Sequence, residues 1–138
     1  MQSDIHKPSG SGKLQLNVCE ARLTRNTEMF GKMDPWAKIE LGKLKLRTKT
    51  IKNGGTEPCW NETFEIEVNN ISQSMNSEVK ITVLDEEAYF NHDTIGCLTL
   101  RLELLCLKEG FDAWLPMRWK GKPSGEIRLK GKWQPRLE

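Results

Sequence analysis

Residues Val83 to Gly96 read V-L-D-E-E-A-Y-F-N-H-D-T-I-G. The stretch begins as the end of an apolar alternating run. It then presents Asp85, Glu86 and Glu87, the aromatics Tyr89 and Phe90, and Asp93, before Ile95-Gly96 returns the chain to a strand. Asp85 and Glu87 have strand spacing and project to the same side, and Asp93 returns across the loop. Carboxylates converging at a strand-loop-strand edge repel one another unless a cation sits among them, and mobile loops of oxygen donors are how proteins bind hard divalent ions, calcium above all. A solvated acidic turn has the same composition. The stretch by itself leaves both readings open.

Outward from this loop the chain alternates repeatedly. Glu78 to Leu84 carries Val79, Ile81 and Val83 in phase, and Ile95 to Leu102 continues on the far side of the loop. Upstream, Lys13 to Ala21 sets Leu14, Leu16 and Val18 against Gln15 and Asn17. Trp36 to Leu41 sets Ala37, Ile39 and Leu41 against Trp36, Lys38 and Glu40. Glu62 to Val68 places Phe64, Ile66 and Val68 on one face. Downstream, Leu102 to Leu107 is expected to form one helical turn. Phe111 to Met117 reads as a short strand around Trp114 and Leu115, and Glu126 to Trp133 alternates around Ile127, Leu129 and Gly131. Asp34-Pro35, Asn53-Gly54-Gly55 and the Gly/Pro-containing Lys120 to Gly125 mark turns. Short alternating strands punctuated in this way predict an all-β fold, an eight-stranded antiparallel β-sandwich. Residues 1–11 and 135–138 are expected to be tails flanking one domain over 12–134.

Lys43 to Lys52 is the second unusual stretch. Lys43, Lys45, Arg47 and Lys49 alternate with Leu44, Leu46, Thr48 and Thr50, so a strand here lines one face with cations. Lysine on an edge strand commonly blocks edge-to-edge aggregation, but cations in phase along a whole strand exceed what that purpose requires.

Composition narrows the function classes. In 138 residues, 37% are hydrophobic and 29% charged, as in a globular domain with its own core. The net charge is only +2, so any charged partner must be met by how charge is placed. Cys19, Cys59, Cys97 and Cys106 form no C-x-x-C pair and read as free thiols in a reducing, cytoplasmic setting. No apolar run approaches a membrane span, and the N-terminus has no signal-peptide core. No nucleophile-base signature, Walker loop or G-x-G-x-x-G is present, which argues against an enzyme. The basic stretch lacks the interleaved aromatics of a single-strand nucleic-acid platform.

Three motifs fall in register, the opening loop among them. E-x-x-G-K-M-D-P-W-A-K-I (Glu28 to Ile39) resembles the first-loop pattern D-x-x-G-x-x-D-P-Y-x-K of C2 domains, the calcium- and phospholipid-binding modules. Glu57-Pro58-Cys59-Trp60-Asn61-Glu62-Thr63-Phe64 is similar to their N-P-x-W-N-E-x-F, and the Val83 to Gly96 loop is similar to their V-x-D-x-D followed by D-x-I-G. The resemblance runs from Gly12 to Trp133. The strand entering the first loop opens the domain and G-E-I-R-L closes it, which is similar to the circularly permuted, type II topology of the Toll-interacting protein and small plant C2-domain proteins.

The resemblance implies calcium ligands at Glu28, Asp34, Asp85, Glu87 and Asp93. Glu28 and Glu87 depart from the family's aspartates, so a weakened calcium site is implied. It also implies that Met29, Phe30, Tyr89 and Phe90 at the loop tips enter the membrane. Trp36, Lys38, Lys45, Arg47, Lys49 and Trp60 are similar to the residues with which some C2 domains hold phosphoinositide headgroups. The function so implied is calcium-dependent, peripheral attachment to anionic phospholipid membranes in signalling or trafficking. The alternative is a calcium-independent phosphoinositide-binding domain or an adaptor for a protein partner.

Overall fold

The apolar alternation resolves into eight strands and one helical turn: β1 (Gly12–Leu23), β2 (Pro35–Leu41), β3 (Leu44–Arg47), β4 (Cys59–Val68), β5 (Glu78–Asp85), β6 (Asp93–Arg101), α1 (Leu102–Leu105), β7 (Phe111–Trp119) and β8 (Lys122–Pro135). This computed structural model describes residues 10–28, 30–71, 77–86 and 93–137.

The strands form one curled antiparallel sheet in the order β3-β2-β5-β6-β7-β8-β1-β4. β6 and β7 are joined through the single pair Cys97↔Arg118. At this seam the sheet folds over, so the leaf β3-β2-β5-β6 faces the leaf β7-β8-β1-β4, as in a β-sandwich. The inner faces supply the core. Ala37, Ile39, Val79, Ile81, Val83 and Ile95 come from one leaf, and Leu14, Leu16, Val18, Ile66, Met117, Ile127 and Leu129 from the other. These are the in-phase positions of the alternating runs, because a strand sends every second side chain to the same face. The strand leading into the first loop, β1, opens the domain, in keeping with the permuted order.

Two expected elements differ. The basic strand expected over Lys43 to Lys52 is only β3, Leu44–Arg47. The Ala37 N–H donates to the Thr48 hydroxyl at 2.9 Å instead of to a backbone carbonyl. The Thr48 side chain thus takes over the ladder's acceptor, and regular pairing stops at Arg47. The turn expected over Lys120 to Gly125 shrinks to Lys120-Gly121, both with positive φ (51° and 78°), and β8 resumes at Lys122. Two positive φ angles suit a two-residue hairpin loop, whose twist matches that of the flanking strands.

Three connections meet at one end of the sandwich. The first, residues 24–34, is tied to the second, 48–58, by Gly55 N–H donating to the Met33 carbonyl at 3.0 Å. It is tied to the third, which begins at Glu86, by Glu86 N–H donating to the Asp34 carbonyl at 3.0 Å.

Candidate functional site

The β-ladder sets two of the expected calcium ligands, Asp85 and Asp93, opposite one another, and a loop hydrogen bond brings the backbone of a third, Asp34, to Asp85. Asp85 ends β5, with Pro35 opposite it on β2 and Asp93 opposite it on β6. Asp34 precedes Pro35, and cross-strand partners share a face. Asp85 is only 1% exposed. Its carboxylate accepts from the Thr27 hydroxyl at 2.8 Å and from the Asp34 backbone N–H at 2.8 Å. Asp34 Oδ1 in turn accepts from the Asn53 N–H at 2.7 Å. Glu28 lies further out on the first loop, where its own N–H donates to Asn26 Oδ1 at 2.9 Å. Glu87 lies outside the described residues, and among those described no three His, Cys, Asp or Glu side chains form a metal cluster.

The donor set nevertheless suits a hard cation. Asp34, Asp85 and Asp93 form no ion pair among the described residues. A buried carboxylate without countercharge is costly. The two oxygens of Asp85 each accept one hydrogen bond and keep lone-pair capacity, and an all-oxygen, carboxylate-rich environment matches calcium in preference to the softer metals.

The expected basic face occupies β2, β3 and the segment after it. Lys38 and Arg47 are direct cross-strand partners. Like charges so placed are unfavourable, and two carboxylates relieve them: Lys38 Nζ lies 3.8 Å from Glu40, and Arg47 Nη2 lies 3.3 Å from Glu86. The Arg47 guanidinium sits 3.8 Å over the Trp36 ring. Arg47, not an incoming ligand, therefore covers one face of that ring, and Trp36 is itself only 6% exposed. Trp60 is 7% exposed, belongs to the core and donates its indole N–H to the Pro35 carbonyl at 3.2 Å. It braces the face from beneath. Lys45 and Lys49 are exposed; the Lys49 backbone N–H donates to Glu62 Oε2 at 2.6 Å.

Of the expected tip residues, Phe30 is 85% exposed. Met29, Tyr89 and Phe90 lie outside the described residues. Among the described residues no helix is long and apolar enough to cross a membrane.

A family model for the C2 domain matches residues 12–117. The chain belongs to the C2 family. This C2 domain is 36% identical over 130 residues to a C2 and GRAM domain-containing protein of Arabidopsis thaliana, a match covering 86% of this chain but 12% of that relative. The chain thus spans about an eighth of the length of that curated relative. A C2 domain of plant extended synaptotagmin 1 shares the fold at a TM-score of 0.82 with 23% identity, covering 94% of this chain and 98% of that one. The calcium-bound pair of C2 domains of extended synaptotagmin 2 matches at a TM-score of 0.73 with 28% identity, covering 91% of this chain and 46% of that one.

The candidate site also involves residues with no distinct sequence signal. Thr27 and Asn53 orient the carboxylates, and Glu86 clamps Arg47. Thr27 looks like any polar loop residue. Asn53 acts through its backbone N–H, which every residue but proline possesses. Glu86 stood out only as one more acid in the loop.

Proposed function

We propose that this C2 domain is a binding module, not an enzyme, that attaches peripherally to anionic phospholipid membranes on the cytoplasmic side in response to calcium. The observation that carries the reading is the buried Asp85 carboxylate, held by Thr27 and Asp34 without a countercharge and flanked by Asp34 and Asp93. Asp34, Asp85 and Asp93, with Glu28 and Glu87, would hold the ion. Calcium would supply positive charge at a loop end that is otherwise rich in carboxylates. The exposed Phe30 on the same loop supports membrane entry, since an isolated aromatic at a charged tip gains by leaving water. The calcium-bound state of the extended synaptotagmin 2 domains, 28% identical to this chain, supports calcium as the ion.

The β2–β3 face serves as a second handle, for phosphoinositide phosphates. Arg47 is flattened on Trp36 with Nε and Nη2 turned to Thr48, Thr50 and Glu86, so it adds charge to the face more than a free fork, and Lys38, Lys45 and Lys49 add point charges. Co-sedimentation with phosphatidylserine vesicles in calcium and in chelator tests the reading. Much stronger binding in calcium than in chelator is expected. Equal binding in chelator would transfer the function to a calcium-independent phosphoinositide domain. No binding in either would leave a protein adaptor. Arg47→Ala with Lys49→Ala should abolish the extra affinity for phosphoinositide vesicles and spare calcium affinity measured without lipid.

A further inference from the structure

The β7–β8 hairpin carries a second set of cations that neither the acidic loops nor the β2–β3 face includes. From Ala113 to Gly125 the chain contains no Asp or Glu, but it contains Arg118, Lys120 and Lys122 around the turn. Lys120 and Lys122 are exposed, and among the described residues neither they nor Arg118 nor Arg25 makes an ion pair. Trp119 lies half-buried at the end of β7. The Lys120 ammonium and the Arg25 guanidinium each lie 5.4 Å from its ring centroid. The Nε of Arg25 is shielded and has no hydrogen-bond partner among the described residues, so stacking, not an ion pair, positions this arginine. The turn is held shut by Arg118 Nη1, which donates to the Gly121 carbonyl at 3.0 Å.

The placement of this cluster matters as much as its charge. The Thr24 N–H donates to the Ser124 carbonyl at 3.0 Å, which stitches the first loop to the base of the hairpin. The exposed Phe30 and the cationic hairpin therefore lie at the same end of the sandwich. An amphipathic ring with cations around it, at the same end as an apolar tip, fits the interfacial layer of a membrane, where tryptophan, lysine and arginine act as anchors.

We propose that the β7–β8 hairpin is a calcium-independent docking element for anionic lipid headgroups, which holds the domain loosely at the surface with the calcium loops facing it. The inference rests on the membrane reading above and adds a second contact to it. A nucleic-acid role is less favoured by the geometry. Trp119 is already engaged by two cations and is not free to stack on a base, and an exposed phenylalanine at the same end gains nothing from a phosphate backbone.

The test uses the whole chain with phosphatidylcholine vesicles, with or without phosphatidylserine, in chelator and in calcium. The hairpin variant is Lys120→Asn with Lys122→Gln, because asparagine tolerates the positive φ at position 120. Lys120→Arg with Lys122→Arg restores charge. Lys108→Ala with Lys132→Ala removes the same net charge elsewhere. Each cation near an anionic surface is worth about fivefold in partitioning, so two should cost roughly twenty-five-fold. In chelator at low salt, wild type should bind phosphatidylserine vesicles weakly. The hairpin variant should lose about twenty-five-fold, the arginine variant should recover it, and the distant control should change little. Three results would overturn the proposal: no wild-type binding in chelator, undiminished binding by the hairpin variant, or equal loss in the distant control. Intact calcium-dependent binding alongside any of these would leave the calcium reading standing, whereas absence of vesicle binding under every condition would remove the membrane reading itself. Loss of duplex DNA binding with vesicle binding unchanged would assign the hairpin to nucleic acid and also overturn the proposal.

Discussion

The backbone N–H of Asp34 donates to the Asp85 carboxylate at 2.8 Å, so a candidate calcium ligand also ties the first loop to the end of β5. The same carboxylate accepts from Thr27 at 2.8 Å. One side chain thus has two duties, and substitutions can separate them. Asp85→Ala leaves two donors unsatisfied in a buried place and should cost about 1–3 kcal/mol in a denaturant melt. Asp85→Asn keeps an acceptor for the Asp34 N–H and can donate to the Thr27 hydroxyl, so it should cost clearly less. Wild type should melt higher in calcium than in chelator. A native-state ligand at a hundredfold excess over its Kd contributes about 2.7 kcal/mol. Both variants should lose that shift. A calcium shift of wild-type size in Asp85→Asn would show that this carboxylate is structural only.

Phe30 provides the measure of membrane entry. At 85% exposure it gains nothing from the fold, so Phe30→Ala should leave the melt unchanged. Burying a phenylalanine contributes about 1.5–3 kcal/mol, so the same substitution should weaken vesicle binding in calcium by roughly tenfold or more. Phe30→Trp should shift its emission to the blue only with calcium and anionic vesicles together. An equal shift in chelator would mean that insertion does not depend on the ion. The five native tryptophans contribute background, which a difference spectrum against wild type removes.

Much of this was legible because it depends on period and identity. Leu14, Leu16, Val79, Ile81 and Val83 were placed by strict alternation, and each is fully buried. That Asp93 returns across the loop from Asp85 was legible from the strand-loop-strand pattern, and the ladder puts Asp85 opposite Asp93; among the described residues the carboxylates do not close into a group of three. Features that depend on tertiary partners were not legible. Alternation continued β3 past Arg47, because no local pattern says that Thr48 will spend its hydroxyl on Ala37. Tryptophan at positions 36 and 60 reads as a ligand platform, but both rings are largely buried, and one is covered by Arg47. Long-range pairs such as Arg25 with Trp119 lie far apart in sequence and have no periodic signature.

Gly96 and Ser124 test the packing between the leaves. A Cβ at Gly96 would overlap the Ser124 hydroxyl. That hydroxyl is fully buried without a hydrogen-bond partner among the described residues. Gly96→Ala should destabilise by about 1–3 kcal/mol through overpacking. Ser124→Ala removes an unsatisfied polar atom and should be neutral or stabilising. In the double variant the hydroxyl is gone, so the cost of Gly96→Ala should fall by a measurable coupling term in thermal melts. Strict additivity would place the clash elsewhere, for instance on the Met117 side chain, which also approaches the added Cβ.

Two groups contribute opposite pH slopes to stability at the extremes. Arg128 donates from Nε and Nη2 to both carboxylate oxygens of Asp112 at 3.0 Å, and from Nη1 to Glu20 at 3.3 Å, a clamp across β7, β8 and β1. The hydrogen bond from Arg128 lowers the Asp112 pKa below its usual 3.8 and raises that of Arg128. A depressed carboxylate pKa stabilises the fold above the unfolded value, and that contribution is lost as pH falls through the folded one. The stability gap between wild type and Asp112→Asn should therefore be constant at neutral pH and close in acid. The alkaline side has the opposite sign. Burial pushes the Cys106 thiol from 9.0 to about 12. Between those values the unfolded thiol has lost its proton and the folded one keeps it, so stability falls as pH rises through that window. Cys106→Ala should be less stable at neutral pH because of the cavity it leaves, yet its stability should decline less steeply above pH 9.0 than wild type's. Denaturant melts across both limbs measure the two slopes, and an alkaline slope unchanged by Cys106→Ala would assign the loss to other groups.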